Sequence, residues 1–472
     1  MDHPLAQDAA LYTDLYQLTM AQGHVLQGRA DQRASFDYFF RSNPFGGGYA
    51  IFSGIDELLH LLENLNFDDR ALAYLDAQGF DPTFLDWLRA FEFQGDIQAM
   101  RHGEVVFPHE PIVRVDGPIA QVQIVETLLL NILNFSTLVA TKASRIRRAA
   151  GPDRKLIDFG LRRAQGFGGL QASRAAYVGG FDATSQVLAG LRDDLPIAGT
   201  QAHAWIQSFD DELSAFRAYA QHFPDQCILL VDTYDTLKSG VPNAITVARE
   251  LRKQGHELIG IRLDSGDLAY LAKQARVMLD DAGFDDVKIA ASNQLDESVI
   301  HSLLQEQQAP IDVFGVGTQL ITAYDDPALD GVYKLCAFDG QPRIKLSENI
   351  EKVNFPGPKT VFRLFDDHHR FYGDAIATEG QTSVAHMHHP YDPYKEVDVD
   401  HFHQEPLLTT VMKDGRLQGP LSTLDEARTY AKQRLAQLPE EHRRFHNPHI
   451  YKVGLSTALH TRRQQLLQEL RG

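Results

Sequence analysis

The sequence predicts an α/β protein whose middle part is a (β/α) barrel and whose two ends supply an α+β domain. Three observations predict this. From about residue 150, short apolar runs alternate with longer helical stretches, the rhythm of parallel strands joined by helical crossovers and covered on both faces. Each run stops at a polar turn, and functional groups offered by many successive strand ends mark the C-terminal mouth of a barrel, whereas a doubly wound sheet gathers them at one switch point. Outside 150–330 the rhythm is absent and short strand-like runs are mixed with isolated helices.

The 472 residues, at roughly 150 per domain, suggest two or three domains. The expected segments are 1–150, 151–334 with the site, and 335–472, the last joining the first because its strands need a sheet. Thr13 and Asp14 start a helix with Leu15, Leu18, Val25 and Leu26 on one face, and Gly28 ends it. Residues 35–41 (SFDYFFR) are extended and run into the glycine-rich turn 43–48, after which 51–65 is amphipathic. EVVF, IVRV and IAQVQIV, between 97 and 125, suggest a small antiparallel sheet. The stretch 122–140 comes nearest to a membrane span, but it carries Glu126, Asn131 and Asn134. One mid-span carboxylate costs about 2.5–3.5 kcal/mol, so this is a helix buried in protein.

The strand candidates of the middle part are 156–159, 227–232, 258–263, 287–291 and 313–316. After Asp330 the runs VYKLCAF, RIKLS, TVFRLF and LLTTVM read as strands, followed by helices at about 423–437 and 457–470.

Lys and Arg number 45 against 63 Asp and Glu, for a net charge of −18 with the signs interspersed. Nucleic acids and anionic membranes both require clustered positive charge, so neither is an expected partner. Cys227 and Cys336 are the only cysteines, which excludes a disulfide framework. The start MDHPLAQDAA lacks the features of a secretion signal, and a cytoplasmic location is expected.

Several strand ends carry chemistry. In Gly199-Thr200-Gln201-Ala202-His203, backbone amides and a hydroxyl offer a phosphate seat, and the imidazole four residues beyond the glycine faces the same opening. In Arg262-Leu263-Asp264-Ser265-Gly266-Asp267, one reading is that Asp264 or Ser265 caps the next helix and Asp267 sits in its first turn. Arg262, inside an apolar strand, needs an anion for its fork. Asp232 and Asp235 could hold Mg²⁺, a ribose hydroxyl or the histidine, or could simply form a turn. Phe314-Gly315-Val316-Gly317-Thr318 is a phosphate-cradle candidate and Arg162 with Arg163 another anion site. His386, His388, His389, His401 and His403 have no cysteine among them and no HExxH spacing, and zinc is not expected.

The motifs LYTDLYQLTMAQGH, FDYFFRSNPFGGGYAIFSGI, LIDFGLRRAQG, GGFDATSQVLAG, GTQAHAW, VDTYDT, GIRLDSGDL, FGVGTQLITAYDDPALDGVYKL and PHIYKVGLS occur in this order along nearly the whole chain. In them the sequence closely resembles the nicotinate phosphoribosyltransferase family of type II phosphoribosyltransferases. The resemblance implies an irregular (β/α) barrel with an α+β domain built from both chain ends, and a homodimer with shared sites. It implies synthesis of nicotinate mononucleotide and diphosphate from nicotinate and phosphoribosyl pyrophosphate, with ATP hydrolysis and Mg²⁺. By motif, His203 is the residue phosphorylated by ATP, and Thr200 lies beside nicotinate. Tyr16 reaches the ring from the neighbouring subunit and Phe159 stacks on it. Arg262 meets the carboxylate or phosphoribosyl groups, and Arg162 is a further substrate contact. Asp232 and Asp264 serve ribose, metal or His203, while Gly317 and Thr318 hold the 5′-phosphate. Ser292 and Asn293 stand where relatives use Gly-Asp for ribose and phosphate. A nicotinamide-specific relative carries an Asp at the position of Ser185, and a non-catalytic phosphoribosyl pyrophosphate sensor has no need of His203, so both alternatives are disfavoured.

Overall fold

In a computed structural model of the chain, which describes residues 5–349 and 353–471, two compact units divide between Thr141 and Lys142 and between Pro327 and Ala328. One is built from both ends of the chain and the other from the middle. The helix Glu126–Ala150 carries the chain from the first into the second.

In the unit of the two ends, strands from both share one seven-stranded sheet. Arg33–Phe40 lies inside it, antiparallel to the central strand Val113–Pro118 on one side and to Gly331–Phe338 on the other. Its residues after Arg33 are all buried, so both faces are covered, and the Phe36 ring stacks on Tyr333 of the neighbouring strand at 4.6 Å. A second, six-stranded sheet is made wholly of C-terminal strands, with Phe371–Thr378 and Lys359–Phe365 at its core.

Three local expectations are corrected. The run IAQVQIV forms the helix Ile119–Ile124, not a strand. All six of its residues are buried, so it has no period to distinguish helix from strand, and Pro118 before it has no N–H to continue a ladder. The helix expected at 51–65 spans only Ile55–Glu63, because Ala50–Ile51 pair with Val105–Val106. Gly54 turns the chain between them at φ +96, where a Cβ would come within 2.8 Å of the Ser136 hydroxyl. RIKLS forms no ladder. Instead Arg343 N donates to Cys336 O at 2.7 Å and Lys345 N to Asn354 Oδ1 at 2.9 Å.

The middle unit holds a six-stranded parallel sheet in the order Ala183–Thr184, Lys155–Asp158, Val313–Val316, Lys288–Ser292, Gly260–Leu263, Ile228–Leu230. The last strand in sequence thus lies beside the first, as in a barrel. Of the irregular (β/α) barrel expected, the parallel sheet with its crossover helices is present, while among the described residues no ladder joins the two edge strands. One isolated bridge, Thr184 to Ile197, and one side-chain bond, Gln201 Nε2 to Ile228 O at 3.3 Å, span that gap.

The crossover helices start on aspartates placed for capping. Asp211, Asp267 and Asp296 accept from the third residue beyond at 2.8, 3.0 and 2.7 Å. In Val241–Lys253, Val241, Ala244, Ile245, Ala248 and Leu251 form the buried face at helical spacing. Ile261 and Leu263 beneath are fully buried, each side chain contributing roughly 1.5–3 kcal/mol by leaving water. No helix among the described residues is long and apolar enough to cross a membrane.

Candidate active site

Parallel pairing brings the C-terminal ends of the strands to one edge of the sheet. Asp232, Asp264, Ser292 and Gly317 all follow or end those strands. A cleft of 980 Å³ opens there, lined among others by Phe159, Arg162, Ser185, Ile197, residues 199–203, Arg262 and Asp264.

Arg262 organises the centre. Its side chain is only 12% exposed. Nε donates to Ser292 Oγ at 2.9 Å, Nη1 to Thr200 Oγ1 at 2.8 Å and to Gln201 O at 3.3 Å, and Nη2 to Asp264 Oδ1 at 3.1 Å. The guanidinium lies 5.5 Å from the centre of the Phe159 ring. The anion that the buried arginine requires is therefore Asp264 of the same chain. A guanidinium has five N–H donors, so one, on Nη2, is left for a ligand.

Asp264 also accepts a short hydrogen bond from Ser292 Oγ. Burial works to raise its pKa, but the Ser292 bond, the Arg262 charge and His203 outweigh it and hold the carboxyl below its ordinary value. Asp232, with 2% of its side chain exposed, accepts through Oδ2 from Asp264 N at 2.7 Å and Ser265 Oγ at 2.8 Å. Its Oδ1 is buried without a hydrogen-bond partner.

His203 begins the helix His203–Gln207, with a side chain 36% exposed. Nδ1 bonds Thr233 Oγ1 at 3.1 Å, while Nε2 stands 3.8 Å from Asp264 Oδ2 and 4.0 Å from Asp232 Oδ1. Both distances exceed a hydrogen bond, so Nε2 faces two carboxylates without being committed to either.

The backbone of Phe159 prolongs the sheet, its N–H donating to Val316 O at 2.8 Å. Its ring occupies the space that the missing side chain of Gly315 leaves, since a Cβ there would lie 2.3 Å from the ring. Gly315, expected in a phosphate cradle, instead seats this aromatic ring. Asp158, before it, is fully buried and accepts from Ser173 Oγ at 2.6 Å, Gly160 N at 2.7 Å and Thr184 Oγ1 at 2.8 Å. Burial raises its pKa, and its role is to hold the turn.

The cleft brings together Phe159, Arg162, Thr200, His203, Arg262 and Asp264, with Asp232 and Ser292 bonded directly to them. Arg162 is exposed and reaches Phe159 O at 3.3 Å. Asn293, next to Ser292, is exposed at φ +83. Gly317 precedes the four-residue helix Thr318–Ile321, with Thr318 exposed. Asp235 accepts from Leu237 N and Lys238 N, the turn reading of that residue. Tyr16 belongs to the other unit, exposed on the helix Leu15–Leu26. Thr233 and the partners of Asp158 escape sequence reasoning. The signal for Thr233 was its place directly after Asp232, whereas Ser173 and Thr184 join Asp158 only through the fold.

The chain matches the family profiles described as nicotinate phosphoribosyltransferase N-terminal domain over residues 11–134, nicotinate phosphoribosyltransferase family over 154–392, and the C-terminal domain over 358–463. It is 44% identical to the nicotinate phosphoribosyltransferase of Bacillus subtilis, covering 98% of this chain and 96% of that protein. It is 36% identical to that of Bos taurus, covering 95% of each. The crystal structure of human nicotinic acid phosphoribosyltransferase superposes with a TM-score of 0.86 at 34% identity, over 97% of this chain and 99% of that one. The chain belongs to the nicotinate phosphoribosyltransferase family.

Proposed function

We propose that this chain joins nicotinate to the phosphoribosyl group of phosphoribosyl pyrophosphate, releasing pyrophosphate, and couples the reaction to ATP hydrolysis through a phosphate carried on His203. The observation that supports this most directly is the meeting, in one cleft, of an uncommitted His203 Nε2, two carboxylates and an arginine beside an aromatic ring. The pyridine ring stacks on Phe159. Its carboxylate takes the remaining Arg262 N–H and the region of Thr200, so the contact is single rather than a two-point fork. Ser185 at the cleft wall offers no carboxylate to receive an amide, which favours the acid over nicotinamide. By the family resemblance, Tyr16 of the partner subunit closes the ring pocket in a homodimer, and Gly317 and Thr318 receive the sugar phosphate.

As pyrophosphate leaves, positive charge develops on the anomeric carbon. Asp264, held ionised by its neighbours, stabilises that charge while the pyridine nitrogen bonds to the carbon from the opposite side. Asp232 and Asp264 fit Mg²⁺: both are oxygen donors, and Asp232 Oδ1 has no hydrogen-bond partner. The described residues contain no group of three metal-ligating side chains, and magnesium is commonly held by one or two carboxylates with substrate phosphates completing its shell. When bound, it would neutralise charge on the pyrophosphate. Phosphate on His203 Nε2 would add about two negative charges next to Asp232 and Asp264, displacing Arg262 from Asp264 and linking ATP's free energy to the state of the nicotinate pocket. An assay of nucleotide product with nicotinate, nicotinamide and quinolinate, each with and without ATP, tests the reading. Product from nicotinate, raised by ATP, is expected; preference for either other substrate would sink it.

A further inference from the structure

The unit built from the chain ends holds a cavity of 610 Å³ that the proposed reaction does not use. Its size is that of a small-molecule site. Three cations, Arg41, Lys395 and Lys452, line it with one carboxylate, Glu396, and Lys395 is paired with Asp392 at 3.2 Å, which leaves Arg41 and Lys452 as the excess charge. Its apolar wall includes the rings of Tyr372 and Tyr391. Lys452 Nζ lies 3.8 Å from the centre of the Tyr372 ring, which places positive charge and aromatic face side by side.

Two buried atoms of lining residues have no hydrogen-bond partner, Arg41 Nε, a donor, and Asn43 Oδ1, an acceptor. Neither atom is open to solvent, so a ligand that reached both would displace the side chains covering them and bring an acceptor and a donor. His389 adds a second donor. Its Nδ1 accepts the backbone N–H groups of Tyr391 at 3.1 Å and Asp392 at 2.9 Å, so its proton sits on Nε2. An aromatic acid such as a pyridine carboxylate has acceptors and a flat ring but no N–H or O–H to give Asn43. A nucleotide has all three parts: anionic phosphate for the cations, a planar base for Tyr391, since Phe402 at 4.1 Å and Lys452 cover the Tyr372 ring, and ribose hydroxyls or a base amine for Asn43.

We propose that this cavity is a binding site for a nucleoside phosphate, separate from the cleft of the middle unit. AMP is the probe, titrated calorimetrically into the full-length protein, with adenosine and inorganic phosphate titrated alongside. One AMP per chain is expected at this cavity, more tightly than adenosine or phosphate alone. Lys452→Met and Asn43→Ala should each weaken AMP about tenfold, the scale of one hydrogen bond or charge contact, while thermal unfolding and transferase activity stay near the parent's. Arg262→Ala, in the cleft, should leave this binding unchanged. The proposal is overturned if AMP does not bind. It is equally overturned if Arg262→Ala abolishes binding while the cavity variants do not, or if phosphate alone binds as tightly as AMP.

Discussion

Replacing Arg262 by lysine keeps the charge and removes the fork. The guanidinium makes three side-chain hydrogen bonds, to Ser292 at 2.9 Å, Thr200 at 2.8 Å and Asp264 at 3.1 Å. An ammonium is a point donor on a differently shaped stem and keeps one of these acceptors, leaving two. A hydrogen bond to a charged group contributes about 1.5–3 kcal/mol, and the partly open cleft lets water replace some of it, so the lower end applies to each lost bond. Those bonds also hold the pocket of the free protein, so kcat/KM reads the lost contact from Nη2 to the nicotinate carboxylate, about 1.5–3 kcal/mol or roughly a 10- to 100-fold fall. Thr200 and Asp264 lose their common anchor, whereas His203 keeps Thr233. ATP hydrolysis measured without nicotinate should therefore fall far less. Steady-state kinetics in both modes, with a melting curve to exclude unfolding, decide the matter. A nicotinate kcat/KM within about threefold of the parent would refute the carboxylate contact, because the loss of a hydrogen bond to a charged group cannot be that small.

Gly315→Ala places a methyl 2.3 Å from the Phe159 ring and should expel that ring, so nicotinate KM rises while ATP hydrolysis persists; an unchanged KM would remove Phe159 from the pocket. Asp264 has a folded pKa below its ordinary value, so it stabilises the fold above the unfolded pKa and loses that contribution as pH falls through the folded one. Asp264→Asn should accordingly flatten the acid limb of the stability curve below about pH 4, and identical limbs for variant and parent would contradict the assignment. If sites are shared between subunits, mixing Tyr16→Ala chains with His203→Ala chains, each without ATP-coupled activity alone, restores some ATP-coupled activity, since one site in each hybrid dimer is intact. No recovery after demonstrated subunit exchange would count against sharing.

The strand ends of the middle unit were legible because each apolar run stops abruptly at a polar turn, as Ile261 to Asp264 does, and parallel order then forces those turns to one edge. The strand bearing Thr184 was not legible, being two residues long and held by Asp158 and the Ile197 bridge rather than by a run of apolar residues. The edge strands stay unjoined at that same place, where 199–202 is irregular. Arg262 was correctly suspected of needing an anion, but sequence could not show that Asp264, two residues on, would supply it across the strand end. Gly315 looked like a phosphate contact because glycine permits any close approach, and sequence does not name the approaching group. The helix Ile119–Ile124 was misread because a segment buried on every side has no polar face to set its period.

The account turns on His203 as the carrier of ATP's phosphate. Incubation of the protein with ATP and Mg²⁺, followed by mass spectrometry under conditions that preserve acid-labile phosphate, tests this most directly. The account predicts phosphate on His203, discharged on adding nicotinate and phosphoribosyl pyrophosphate. In His203→Ala, ATP hydrolysis should be lost while slow, ATP-independent formation of nicotinate mononucleotide remains. Phosphate on another residue, or undiminished ATP hydrolysis in the variant, would contradict it.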